Sequence, residues 1–200
     1  FVKTRAFENS QTIYTPAVHP REPYISSREK YVSPFYEREK ELGGFFDNEV
    51  ACWERALAYK SNEQKLNKYL KEVPVREDEW DHRHVPYEIA NAEHLAMSDS
   101  VGMINLSHFP IMDIKGPDAE RMLEYLSVAK VGSNTPEGKV IYTNFLDEDG
   151  GVHADLTISR LGSDSYRIVT GGADGNRDWV LLRNYRDDNG LNADINIRTH

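Results

Sequence analysis

Sulfur is almost missing from this chain. One cysteine, Cys52, stands in 200 residues, so no internal disulfide can form and a cysteine-built metal centre has no basis. A reducing compartment suits such a composition. Long apolar runs are missing too. No stretch approaches the roughly 18 apolar residues of a membrane span, and the opening FVKTRAFENS lacks the apolar core of a signal peptide. Positive charge is scarce: 24 Lys and Arg face 33 Asp and Glu, for a net charge of -9. Nucleic acid and anionic membrane are therefore not expected partners, since either needs a basic footprint. Apolar residues make up only 39%, whereas a globular chain of this length buries about 70% of its unfolded surface. Part of the chain is expected to be an extended arm rather than core. The ends, Phe1 without a Met and a strand-like NADINIRTH, suggest a piece of a longer polypeptide.

What is present divides at about residue 86. Residues 1–86 read as an N-terminal arm and connection, and 87–200 as the first part of a domain. Pro16, Pro20, Pro23 and Pro34 disfavour regular helix and central strand across their span. Tyr14, Tyr24, Tyr31, Phe35 and Tyr36 recur among them, more rings than a free linker carries, so the arm is expected to lay them on a surface. A short helix is predicted over Pro34–Leu42, ended by the left-handed cap that Gly43-Gly44 can supply. SNEQKLNKYLKE reads as surface helix or loop.

From Tyr87 the periodicities sharpen. Ile89, Ala92, Leu95 and Ala96 have helical spacing, stopped by Gly102. Met103–Leu106 and Ile111–Ile114 are short strand candidates. GPDAERMLEYLSVAK is an amphipathic helix with Pro117 in its first turn and Ala119, Met122, Leu123 and Leu126 as its stripe. GKVIYTNFL, VHADLTISRL and YRIVT are strands joined by the turns DEDGG and LGSDS, and in the second strand Val152, Ala154, Leu156, Ile158 and then Leu161 give an apolar side with nearly period two. GGADGNRDWVLLRNY enters a helix, and ADINIRT closes with a strand. The order β-β-α-β-β-β-α-β predicts an α+β fold, an antiparallel sheet backed by helices.

Few motifs carry chemistry. Asp81-His82-Arg83-His84 lacks the third ligand that a metal site needs, and reads as a surface loop. No metal ligands are expected. Ser107-His108 are neighbours in sequence with no third group to orient them, so a turn is the better reading. Gly171-Gly172-Ala173-Asp174-Gly175 lacks dinucleotide-fold spacing, and Asp174 would repel an anion; a tight strand-to-helix turn is favoured. Asp155 is the odd residue. Its carboxylate competes for backbone hydrogen bonds and is disfavoured inside a strand. On spacing alone it is a solvent-facing strand residue, or it is a group that accepts an N–H from a bound nitrogen base.

Several blocks together carry a resemblance. GMINLSHFPIMDIKGPDAERMLEYL, GKVIYTNFLDEDGGVHADLTISRL, SYRIVTGG and NRDWVLLR stand in the order and spacing of the folate-binding aminomethyltransferase fold, that of the glycine cleavage T-protein and its relatives. The resemblance covers about residues 88 to 186. Upstream, SPFYEREKELGGFF and CWERALAY look like the SPLYERLKALGAVF and GWERPNWF segments of the FAD-dependent dimethylglycine and sarcosine dehydrogenases. The chain therefore resembles the start of their C-terminal folate module more than it resembles the free-standing T-protein.

That resemblance implies the first domain of a folate module preceded by an extended arm. It implies tetrahydrofolate as cofactor and Asp155 at the folate N5/N10 edge, catalytic as well as cofactor-binding. Tyr142 would lie near the pterin, Phe109 would form an apolar wall, and Thr170 would stand where the T-protein has an Asn. It further implies an N-methyl amine substrate, an FAD dehydrogenase module or subunit as partner, and a cytoplasmic or mitochondrial-matrix enzyme. Alternatives are a flavin-independent methyltransferase acting on a sulfonium or aryl ether, or a docking domain with a decayed site. The family's downstream YxGE-like motif, its β-barrel domain and a dinucleotide fingerprint are not among these residues. A basic patch for an anionic folate tail is expected to lie outside them as well.

Overall fold

The computed structural model describes residues 2–12, 26, 28–46, 49–50, 53–73 and 87–198. The chain forms two compact units, Phe1–Asn105 and Leu106–His200. Asp81 to His84, Tyr14 and Tyr24 lie outside the described residues.

The first unit contains helices α1 (Val2–Thr12), α2 (Tyr36–Glu41), α3 (Asn62–Lys65), α4 (Asn67–Leu70) and α5 (Tyr87–Asp99), with a small hairpin of β1 (Glu49–Val50) and β2 (Trp53–Glu54). Helix α1 runs ahead of the proline-rich stretch. Helix α2 stands where a short helix was predicted. It ends as its glycines dictate: Gly43 sits at φ +71, and the N–H groups of Gly43 and Gly44 return to the carbonyls of Lys40 and Glu39. SNEQKLNKYLKE forms the two short turns α3 and α4. Helix α5 buries Ile89 and Ala92.

Polar ties do much of the holding in this unit. Buried Glu39 accepts the Tyr59 hydroxyl at 2.8 Å and the Asn105 amide at 3.0 Å. Buried Glu54 takes both arms of the Arg28 guanidinium, at 2.8 and 2.6 Å, and the Glu29 N–H. Tyr36 is buried edge-on against Phe46, and Tyr31 meets Trp53 edge-on. The described acids of this unit are thus kept buried by being satisfied.

The second unit is one antiparallel sheet with two helices. Its elements are β3 (Ile111–Lys115), α6 (Ala119–Leu126), β4 (Val140–Leu146), β5 (Val152–Gly162), β6 (Ser165–Thr170), α7 (Gly175–Asp188) and β7 (Asp194–Ile197), and the strand order is β4-β5-β6-β3-β7. The predicted stripe of α6 is buried in full: Ala119, Met122, Leu123 and Leu126. They pack with Leu182 of α7 on Met112, Ile114, Phe145, Ala154, Leu156, Ile158, Tyr166 and Ile168. Those strand residues alternate, so one face of the sheet is core and carries both helices of this unit, and neither of them lies on the other face.

Two expectations fail here for physical reasons. Met103–Leu106 is not a strand; Met103 is 97% exposed, and an apolar run without a partner strand has no ladder to join. Val152 and Leu161, expected on the apolar side of β5, are exposed. The ladder shifts at both ends of β5, between Phe145 and Leu146 and between Arg160 and Gly162, and each bulge turns its neighbours out of phase.

Candidate functional site

The site is built on the face of the second unit's sheet opposite α6 and α7. Alternation along β5 sends Ala154, Leu156 and Ile158 into the core, which leaves Asp155 and Thr157 on the opposite face. The β4–β5 ladder pairs Asn144 with Asp155 and Tyr142 with Thr157. Tyr142 and Asp155 are therefore diagonal neighbours, and the Tyr142 hydroxyl donates to Asp155 Oδ2 at 2.8 Å. Both side chains are exposed. The hydrogen bond to Asp155 is the main reason the Tyr142 phenol is raised above its ordinary value, with desolvation and the Asp155 charge acting the same way. Tyr142 thus stays a proton donor at neutral pH. One carboxylate oxygen is oriented by that phenol. The other has no hydrogen bond among the described residues, and it can accept an N–H from a ligand.

Phe109 and Thr170 are placed differently. Phe109 is half-buried after the turn at Ser107 and His108, its ring 4.8 Å from that of His108. Thr170 is paired with Leu156 across the β5–β6 ladder, so it faces the core, away from Asp155. It is 2% exposed, and its hydroxyl donates to the fully buried Asp178 of α7. The arrangement brings Tyr142 and Asp155 together and leaves Thr170 on the other side of the sheet.

The glycine-rich turn before α7 is filled by protein. A Cβ on Gly175 would lie 2.5 Å from Pro110 Cγ, and one on Gly172 would lie 3.0 Å from the His108 ring. These glycines permit close packing of the turn against His108 and Pro110. Among the described residues no cluster of His, Cys, Asp and Glu could hold a metal ion, and no helix is long and apolar enough to cross a membrane.

A second charged group on the same face escaped the sequence reading. Asp113 of β3 is 2% exposed and is registered with Arg167 of β6. Arg167 grips it through Nε at 2.7 Å and Nη2 at 3.1 Å, and Arg198 Nε adds 2.8 Å. The hydrogen bond from Arg167 does most to hold the Asp113 carboxyl below its usual range; burial opposes it, and Arg198 helps. The available signal was the one that exposed Asp155, an Asp in the body of a strand.

The whole-chain comparisons bear on this geometry. Residues 35–199 match the family model described as GCVT N-terminal domain. The chain belongs to that family. An aminomethyltransferase of Cupriavidus taiwanensis is 35% identical over 101 residues, which are 50% of this chain and 27% of that protein. The solved glycine cleavage system aminomethyltransferase T from Bartonella henselae superposes with a TM-score of 0.60 at 19% identity, over 83% of this chain and 37% of that one. The chain thus spans well under half the length of either relative. As a GCVT N-terminal domain it has the α+β architecture expected of the first domain of the aminomethyltransferase fold.

Proposed function

We propose that this GCVT N-terminal domain contributes to a tetrahydrofolate-dependent one-carbon transfer, with Asp155 at the reactive edge of the folate. The observation that carries the reading is the Tyr142–Asp155 pair: a carboxylate with one oxygen oriented and one available, on the sheet face opposite α6 and α7. The acceptor suits a reduced pterin, whose ring and bridge nitrogens present N–H groups.

In the full reading, the donor is the iminium of an oxidised N-methyl amine, such as dimethylglycine or sarcosine. The products are 5,10-methylenetetrahydrofolate and the demethylated amine. The two folate nitrogens that bond to the transferred carbon lose one N–H proton each; one proton goes to the departing amine and the other is released. Asp155 would accept that second proton, or hold its N–H, so that the nitrogen lone pair points at the iminium carbon. A base in this position contributes about 10²–10⁴-fold, and positioning of the two reactants adds to it. Tyr142 keeps Asp155 aimed. The oxidation would fall to FAD in a separate dehydrogenase module or subunit. Support for the amine branch comes from the resemblance of SPFYEREKELGGFF and CWERALAY to the fused dehydrogenases.

The test is calorimetric titration of tetrahydrofolate into the full-length protein, wild type beside Asp155→Ala. Saturable binding that weakens in the variant is expected. A folded wild type that binds no folate would end the reading.

A further inference from the structure

The face that carries Tyr142 and Asp155 continues across the whole sheet. Tyr142, Thr157, Val169 and Ile111 share one register row over β4, β5, β6 and β3. Arg198 closes the row, its N–H donating to the Ile111 carbonyl at 2.7 Å. Four strand spacings separate the ends of the row, about 19 Å, and the Arg198 side chain shortens that gap, because its Nε reaches back to Asp113 on β3. Thr157, Val169 and Ile111 are half-buried, so the middle of the row is a shallow, largely apolar strip. At the far end stand two guanidiniums and one carboxylate, an excess of one positive charge in a chain whose net charge is -9. Asp113 takes Nε and Nη2 of Arg167 but only Nε of Arg198. The Arg198 side chain remains 58% exposed. Its two terminal nitrogens make no hydrogen bond among the described residues.

We infer that Arg198, braced by Asp113 and seconded by Arg167, receives a carboxylate of the folate's glutamyl tail while the pterin end lies at Tyr142 and Asp155. This deepens the folate reading and rests on it. The strip between them suits the flat aminobenzoyl ring. Asp113 has a positioning role: it holds both guanidiniums at the sheet surface, where a planar anion can meet their spare N–H groups in a fork. On this inference the tail finds its basic spot on the sheet itself, where the sequence reading looked for it outside these residues.

The experiment measures binding to the full-length protein of three probes: a tetrahydropterin without a tail, tetrahydrofolate with one glutamate, and its triglutamate. Arg198→Gln leaves the Arg167–Asp113 fork in place, so folding is expected to survive, and circular dichroism confirms it. The variant should bind the tailed ligands about three- to tenfold more weakly, as one half-exposed charge-assisted hydrogen bond predicts. It should bind the tail-less pterin as wild type does, and Arg198→Lys should recover much of the loss. Wild-type affinity for tailed ligands should fall as salt rises. Equal losses for all three probes, or none, would overturn the tail site while the folate reading stood, provided that Asp155→Ala still weakened the pterin. Binding of free glutamate or phosphate as strong as the gain from the tail would show a general anion site instead, and would also overturn the assignment. If no probe binds folded wild type, the folate reading fails and the tail site with it.

Discussion

The phenol of Tyr142 crosses the β4–β5 ladder diagonally to the carboxylate of Asp155: Tyr142 is registered with Thr157, and Asp155 with Asn144. The pair adds little to folding because both side chains are exposed. Tyr142→Phe is therefore expected to change stability by no more than about 0.5 kcal/mol and to slow one-carbon transfer roughly 3- to 10-fold, the worth of one net hydrogen bond. Asp155→Asn should cost more, about 10²–10⁴-fold. Thermal melts beside single-turnover assays separate the two quantities, and a Tyr142→Phe variant that lost stability but not rate would reverse the roles assigned here.

Asp113 makes the fold sensitive to acid. Its carboxyl is lowered in the native state, so its contribution is complete above the unfolded carboxylate value, about 3.9. That contribution fades as pH falls below it through the native value. Asp113→Asn should destabilise the protein at pH 7 by about 1–3 kcal/mol and flatten the acid limb of the stability curve. Urea unfolding from pH 7 down to pH 3 reads this directly; parallel curves for wild type and variant would contradict it.

Thr170 was expected to touch the folate, and its geometry supports a different test. Its hydroxyl serves Asp178, which is fully buried. Thr170→Val should cost about 1–3 kcal/mol through the weakened partner, and Thr170→Ser should restore most of that. If Thr170→Val instead kept full stability and weakened folate binding, contact with the ligand would be indicated.

Gly175 faces Pro110 so closely that any side chain must displace it. Gly175→Ala is expected to cost about 1–3 kcal/mol, visible as a lower denaturation midpoint with unchanged slope. Unchanged stability would mean that the Pro110 segment yields.

The second unit was legible because its signals were periodic. Met122, Leu123 and Leu126 repeat at helical spacing, while Ala154, Leu156 and Ile158 alternate; both patterns come directly from which side faces the core. Asp155 stood out because the rest of its strand obeyed that rule. Register was not legible. Nothing local tells that Tyr142 lies diagonal to Asp155, that Arg167 meets Asp113, or that Thr170 faces Asp178, since each depends on which strand or helix becomes a neighbour. Helix α1 was missed because VKTRAFENSQT has no apolar stripe. The polar first unit was hard for the same reason: buried Glu39 and Glu54 look like surface residues until their partners are in place.

The irregularities that bracket β5 bear on how its hairpin can be redesigned. A slip of one residue would bring Asp155 to the inner side of the sheet and Leu156 out. The irregularity opposite Phe145 and Leu146 lets one extra residue, His153, be absorbed before Asp155 is reached. Residues inserted by design into the Asp147–Gly151 turn should therefore leave the carboxylate on its side, because the ladder that sets its direction begins beyond His153. The hairpin's unpaired residue uncouples loop length from side-chain direction.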